Sequence, residues 1–250
     1  MLGRDHALTG AAGFLATGQA MSEVVSHHPM PVKELLVGTI VCAAFALVPD
    51  MDEENSTVAR KFGFISREFA RFTKACAGGH RQATHSIFGA AIVGALIFWA
   101  ASYRDGPAVI VGLSALIVLK QLLGSYKIRI STGTTLVAAG LIAYWTYASQ
   151  SGHSWLALVA VEGVLWHMIG DSLTVEGVPW FWFPFVKRLQ RIRLKAAILG
   201  HCGSYRESWV AIGLMVAILG LLWVDAGQYY LASAHAAVLQ QVGQIGTFGH

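Results

Sequence analysis

Residues 82–103 read QATHSIFGAAIVGALIFWAASY, 22 residues between Arg81 and Arg104 with no Asp, Glu, Lys or Arg. At about 1.5 Å per residue such a helix crosses the roughly 30 Å hydrocarbon core of a bilayer. Other uncharged runs flank it: 17 residues between Asp5 and Glu23, 15 between Glu34 and Asp50, 14 between Asp105 and Lys120, 32 between Arg129 and Glu162, and 17 between Glu207 and Asp225. Hydrophobic residues make up 55% of the 250, charged residues 13%, and the mean hydropathy is +0.54. Soluble domains carry about 25% charged residues, so a soluble domain is excluded, and the low charge excludes a disordered chain. The pattern predicts an all-α, multi-pass helical membrane protein with about seven transmembrane or membrane-embedded helices.

The seven are expected near Ala7–Met21, Leu35–Val48, Ser86–Tyr103, Pro107–Leu123, Thr134–Ala148, Trp155–Gly170 and Ser208–Val224. The longest uncharged run breaks at the polar turn Ser149–His153, which holds Gly152. The first apolar stretch is diluted by Gly and Thr and follows Arg4-Asp5-His6, so it reads as a retained helix rather than a cleaved signal. Residues 1–225 form one membrane-embedded domain. Residues 226–250 are an uncharged tail that either lies amphipathically on the outer surface or is disordered. Segments 1–6, 50–85, 120–133 and 171–207 hold 16 of the 18 Lys and Arg residues. That asymmetry places the amino terminus and these segments in the cytoplasm and the carboxyl terminus outside the cell membrane. The net charge of +4 is accounted for in the same way, and no specific nucleic-acid partner is predicted. Cys42, Cys76 and Cys202 show no pairing or ligand spacing.

Histidine was not counted in that topology, yet the unusual polar residues fall on one side of it. His6 precedes the first helix, and Asp50 and Asp52 end the second. His80 and His85 precede the third, His167 and Asp171 end the sixth, and Glu207 opens the seventh. Imidazoles and carboxylates converging without thiolates suit zinc, manganese or iron. His167 and Asp171, four apart, share a helical face. More than four candidate ligands favour two or more ions.

These residues resemble the YdjM-type family of membrane-bound, metal-dependent hydrolases. The resemblance rests on an early His (His6), Pro49-Asp50-Met51-Asp52 with Ser56, and the string His80-Arg81-Gln82-Ala83-Thr84-His85-Ser86. It continues through His167, Asp171, Thr174 and Gly177-Val178 to Gly203-Ser204-Tyr205-Arg206-Glu207, covering residues 1 to about 225. The family's frequent Trp-Pro after Gly-Val is one residue looser here, as Trp182-Phe183-Pro184. The helices between Tyr103 and Trp155 carry none of the family's signatures. The family is distantly similar to zinc-dependent phospholipase C, which hydrolyses phosphodiesters.

The resemblance implies divalent metal ions, zinc above all and manganese as an alternative, two or more of them. The ligands would be drawn from His6, Asp50, His80, His85, His167, Asp171 and Glu207. It implies a hydrolase of the phosphodiesterase or phospholipase kind, with a phosphoester substrate and membrane lipids as partners. Asp52 is the candidate general base or ligand-orienting group, and Arg81 the candidate holder of a phosphate oxygen. Thr84, Ser86 and Thr174 are expected to cap helices or orient ligands. The aromatic segment Val178–Val186 suits the lipid–water interface, as an anchor or as the wall of a lipid path. Two other readings remain open from the residues alone. One is a metal- or proton-coupled transporter, for which only Glu162, mid-helix, speaks. The other is a non-catalytic scaffold with a structural metal site.

Overall fold

A computed structural model describes residues 1–26, 30–54, 56, 63–148 and 155–247 of the chain. Among them the backbone forms nine α-helices: α1 (Gly3–Ser26), α2 (Val32–Phe45), α3 (Phe64–Ala77), α4 (Ile87–Ala101), α5 (Gly106–Ser125), α6 (Thr132–Ala148), α7 (Leu156–Ser172), α8 (Lys187–Arg191) and α9 (Tyr205–Thr247). Two 3₁₀ turns, Pro49–Asp52 and Ala83–His85, follow α2 and precede α4. The expected break at Ser149–His153 lies outside the described residues.

The protein is all-α and multi-pass, but the expectation of about seven membrane helices is corrected. Among the described residues three segments are long and apolar enough to cross a membrane: Val32–Asp52, Gly106–Ser125 and Tyr205–His235. The reason is physical length and dilution. Helix α4 has 15 residues and α6 and α7 have 17 each, or about 22–26 Å of rise, short of the roughly 30 Å core. Helix α1 is long, but Arg4, Asp5, Glu23 and interspersed Gly, Thr and Ser dilute it. The last helix is longer than expected: α9 runs unbroken for 43 residues through most of the uncharged tail. Helix α3 was not expected at all.

Helix α2 is the hub and packs on α1, α5 and α7, while α4 pairs with α7, α6 with α5, and α9 with α1. Phe14, Leu15, Leu35, Val41, Val111, Leu156 and Val159 close the core between them. Two glycines set the spacing. A Cβ on Gly10 of α1 would stand 2.8 Å from the Cys42 carbonyl oxygen of α2, and one on Gly163 of α7 would stand 2.5 Å from the same oxygen. The three backbones therefore meet most closely one turn before the end of α2, where the polar residues gather. Outward, Leu96, Phe98 and Trp99 of α4, Leu141 of α6 and Leu219 of α9 are exposed, a surface suited to lipid.

Candidate metal centre

Helix α2 stops because Pro49 cannot supply an N–H to continue it. The chain tightens into the Pro49–Asp52 turn, which directs Asp50 and Asp52 beneath the hub. Ser86 caps α4, its hydroxyl accepting from the Gly89 N–H at 3.1 Å. That fixes the short turn carrying His85. Helix α7 brings His167 and Asp171 down one face, and α1 begins beside them with His6. His6, Asp52, His85, His167 and Asp171 are fully buried.

The rings pack directly on one another. His6 stacks on His167 at 3.7 Å between centroids and 17° between planes. His85 meets His167 edge-on at 4.8 Å, and His80 meets His85 at 5.5 Å. Three overlapping groups result, each with its ligand atoms within 4.8 Å of one another: His6, Asp50 and His167; Asp50, His80 and His85; His85, His167 and Asp171. Asp50 belongs to two of them and is placed to bridge.

The histidines are held from behind. The His167 Nδ1–H donates to the Ala46 carbonyl at 2.8 Å, which leaves Nε2 with its lone pair toward the centre. Asp52 Oδ1 lies 2.6 Å from His80 Nδ1, and Oδ2 lies 3.6 Å from His85 Nδ1. The same Oδ2 accepts from the Thr84 hydroxyl at 2.5 Å and from the Arg81 N–H at 3.3 Å. A carboxylate behind a ligating imidazole fixes its tautomer and raises its basicity. Neither nitrogen of His6 has a hydrogen-bond partner, nor do His85 Nε2, His167 Nε2 and Asp171 Oδ2. Buried polar atoms left unpaired in one place are costly, and a divalent cation satisfies them together. The donor set of imidazole nitrogen and carboxylate oxygen fits such an ion, and no cysteine belongs to the groups. The local field agrees. Burial opposes charge on His85, yet the neighbouring carboxylates of Asp50 and Asp52 raise its pKa from 6.5 to about 9.

Six of the seven expected ligands are thus brought together, and Glu207 is not among them. Its carboxylate accepts from the Leu2 N–H and, at 2.5 Å, from the Gly203 N–H, so it ties the start of α9 to the start of the chain. Arg81 does not stand free. Its Nε lies 3.1 Å from Asp171 Oδ2, and its guanidinium also pairs with Glu176. Its backbone is left-handed at φ 57°, a conformation that strains a residue with a side chain. Thr174 donates to the Asp171 carbonyl at 2.7 Å. Sequence reasoning missed two neighbours. The Met1 amino group lies 2.6 Å from Asp171 Oδ1. Asp5 is fully buried, and burial with the adjacent Glu207 pushes its carboxyl up to about 7. Asp5 had one available signal, its place beside His6 in an otherwise apolar helix; nothing in the sequence pointed to the amino group.

A family model described as YdjM inner membrane protein matches residues 1–126, half of the chain. No curated protein and no solved structure matches it.

Proposed function

The chain belongs to the YdjM inner membrane protein family, and from that premise we propose that it is a membrane-embedded, metal-dependent hydrolase of phosphoester bonds. The observation that carries the reading is the cluster of buried nitrogen and oxygen atoms on His6, His85, His167 and Asp171 that lack a hydrogen bond and fall into overlapping ligand groups. Zinc fits a set of imidazoles and carboxylates, with manganese the alternative, and Asp50, a member of two ligand groups, would be shared if two ions were held. A bound divalent metal ion supplies Lewis acidity, polarising a phosphoryl oxygen and lowering the pKa of water.

The chain's own residues do the rest. His6, Asp50, His80, His85, His167 and Asp171 hold the metal. Asp52 orients His80 and His85 and is the group nearest to accept a proton from behind them. Arg81 binds a phosphate oxygen by exchanging Glu176, whose carboxylate side chain is 57% exposed, for the incoming anion. Glu207 acts from outside the ligand set by anchoring Leu2 and Gly203. The segments that carry the clustered residues, 1–6, 80–86 and 171–207, are rich in Lys and Arg, which favours the cytoplasmic face for this centre. An impermeant thiol reagent should then reach the exposed Cys76 and Cys202 from that side alone. A transporter would want its ligands near the midplane, where Glu162 is instead tied to the Thr17 hydroxyl and to Trp166 Nε1.

Elemental analysis of protein purified without chelator tests the centre. Wild type should carry divalent metal and hydrolyse a member of a phosphoester panel, and His167→Ala and Asp50→Ala should do neither. A metal-free wild type overturns the reading.

A further inference from the structure

A cavity of about 430 Å³ opens beside the centre. Its inner end is formed by Pro49, Met51 and Thr84, the chain neighbours of Asp50, Asp52 and His85. Its walls are Phe88 and Val93 of α4 on one side and Thr73 and Cys76 of α3 on the other, and Trp182 joins them. Phe88 packs at a tilt against Trp182 at 5.9 Å and edge-on against Phe183 at 5.4 Å. The Ile87 N–H donates to the Trp180 carbonyl at 2.9 Å, which pins that aromatic segment against α4. The outer end is Ile92 and Leu96, which lie on the outward apolar face of α4 with Phe98 and Trp99.

The two ends define the occupant. It must be apolar along its length, reach a polar centre at one end, and run into the lipid-facing surface at the other. A polar peptide or a free nucleotide meets none of the first condition. The size and apolar lining of the groove suit a single hydrocarbon chain. Helix α3 forms the rim. It turns Phe64 and Phe72 outward and lays Phe69 along the groove, while Arg71 and Lys74 pair with Glu54 and Glu53, as suits a helix lying at the membrane surface.

We infer that this groove holds one acyl chain of a membrane phospholipid whose headgroup phosphate lies at the metal centre. The inference rests on the hydrolase reading for the headgroup and on the groove alone for the chain. The substrate then never leaves the bilayer. Its chain slides between α3 and α4, and its phosphoester arrives beside Asp50 and Arg81 without exposing hydrocarbon to water.

The test uses the full chain in nanodiscs containing a phosphatidylglycerol with a diazirine near the end of one acyl chain. After illumination, adducts should map to Phe88 and Val93 as well as to the outward Leu141 and Leu219. In the Cys202→Ser variant Cys76 is left as the exposed thiol, and alkylating it with a bulky maleimide plugs the groove of protein already folded. Labelling of Phe88 and Val93 should then be lost while that of Leu141 and Leu219 persists. Labelling confined to Leu141 and Leu219, or groove labelling indifferent to the plug, overturns the inference. Metal content measured on the same preparations separates the two readings. A metal-free centre with a labelled, pluggable groove would remove the hydrolase and leave the chain site standing.

Discussion

Replacing Asp52 with Asn tests how the centre is held. Asp52 receives three donors: the Thr84 hydroxyl and the Arg81 N–H on Oδ2, and His80 on Oδ1. An asparagine offers one acceptor and one NH₂. If its oxygen keeps Thr84 and Arg81, its NH₂ faces His80 Nδ1, at the position now 2.6 Å away. His80 must then accept at Nδ1 and carry its proton on Nε2, the atom available to a metal. The opposite flip points NH₂ at two donors. The first flip turns His80 out of its ligating tautomer, the second leaves the Arg81 N–H facing an NH₂, and in both His85 loses the carboxylate behind it. Such outer partners are worth about 10–100-fold in metal affinity or activity, or roughly 1.4–2.8 kcal/mol. Asp52→Asn should therefore weaken metal binding by that factor in competition with a chelator, yet still fill at saturating metal. Asp171→Asn, which removes a carboxylate oxygen from a ligand group, should not fill. Unchanged affinity in Asp52→Asn, or a site as empty as that of Asp171→Asn, would refute the orienting role.

Metal binding should tighten with pH. In the metal-free protein His85 keeps its proton up to about pH 9, and a metal must displace it. Affinity should rise by up to about tenfold per unit between pH 6.5 and 9 and flatten above, with proton release visible by calorimetry in buffers of different ionisation enthalpy; a flat profile in that window would exclude His85 as a ligand. Gly163→Ala places a Cβ 2.5 Å from the Cys42 carbonyl, so α2 and α7 must part. Thermal unfolding should show a loss of about 1–3 kcal/mol, the usual cost of overpacking, and an unchanged midpoint would mean that the two helices do not set each other's distance.

Much of the candidate site was legible because residues that share a ligand group must keep a compatible spacing. His167 and Asp171 had to share a helix face, and Pro49 had to end a helix just before Asp50. The number of spans was less legible. An uncharged run shows where a helix cannot meet charge, not how many residues become helical, so the 22-residue run before Arg104 yields only 15 residues of α4, its first part being spent on the turn that holds His85. Helix α3 was overlooked because its four charges read as loop. Its apolar residues at 65, 69, 72 and 76 nonetheless keep the 3.6-residue period of an interfacial helix. The separation of Glu207 from the ligands was beyond reading: a carboxylate bound to two backbone N–H groups has the same sequence signature as one bound to metal.

The ligand groups join the first helix turn of the chain to the seventh helix, with His6 lying 3.3 Å from Asp171. Such contacts, far apart along the chain, form late in folding. A polypeptide still being inserted, with α7 not yet made, lacks His167 and Asp171 and so leaves two of the three candidate ligand groups incomplete. Loading with metal would then serve as the closing stitch between α1 and α7, coupling maturation to the finished assembly rather than to any one segment.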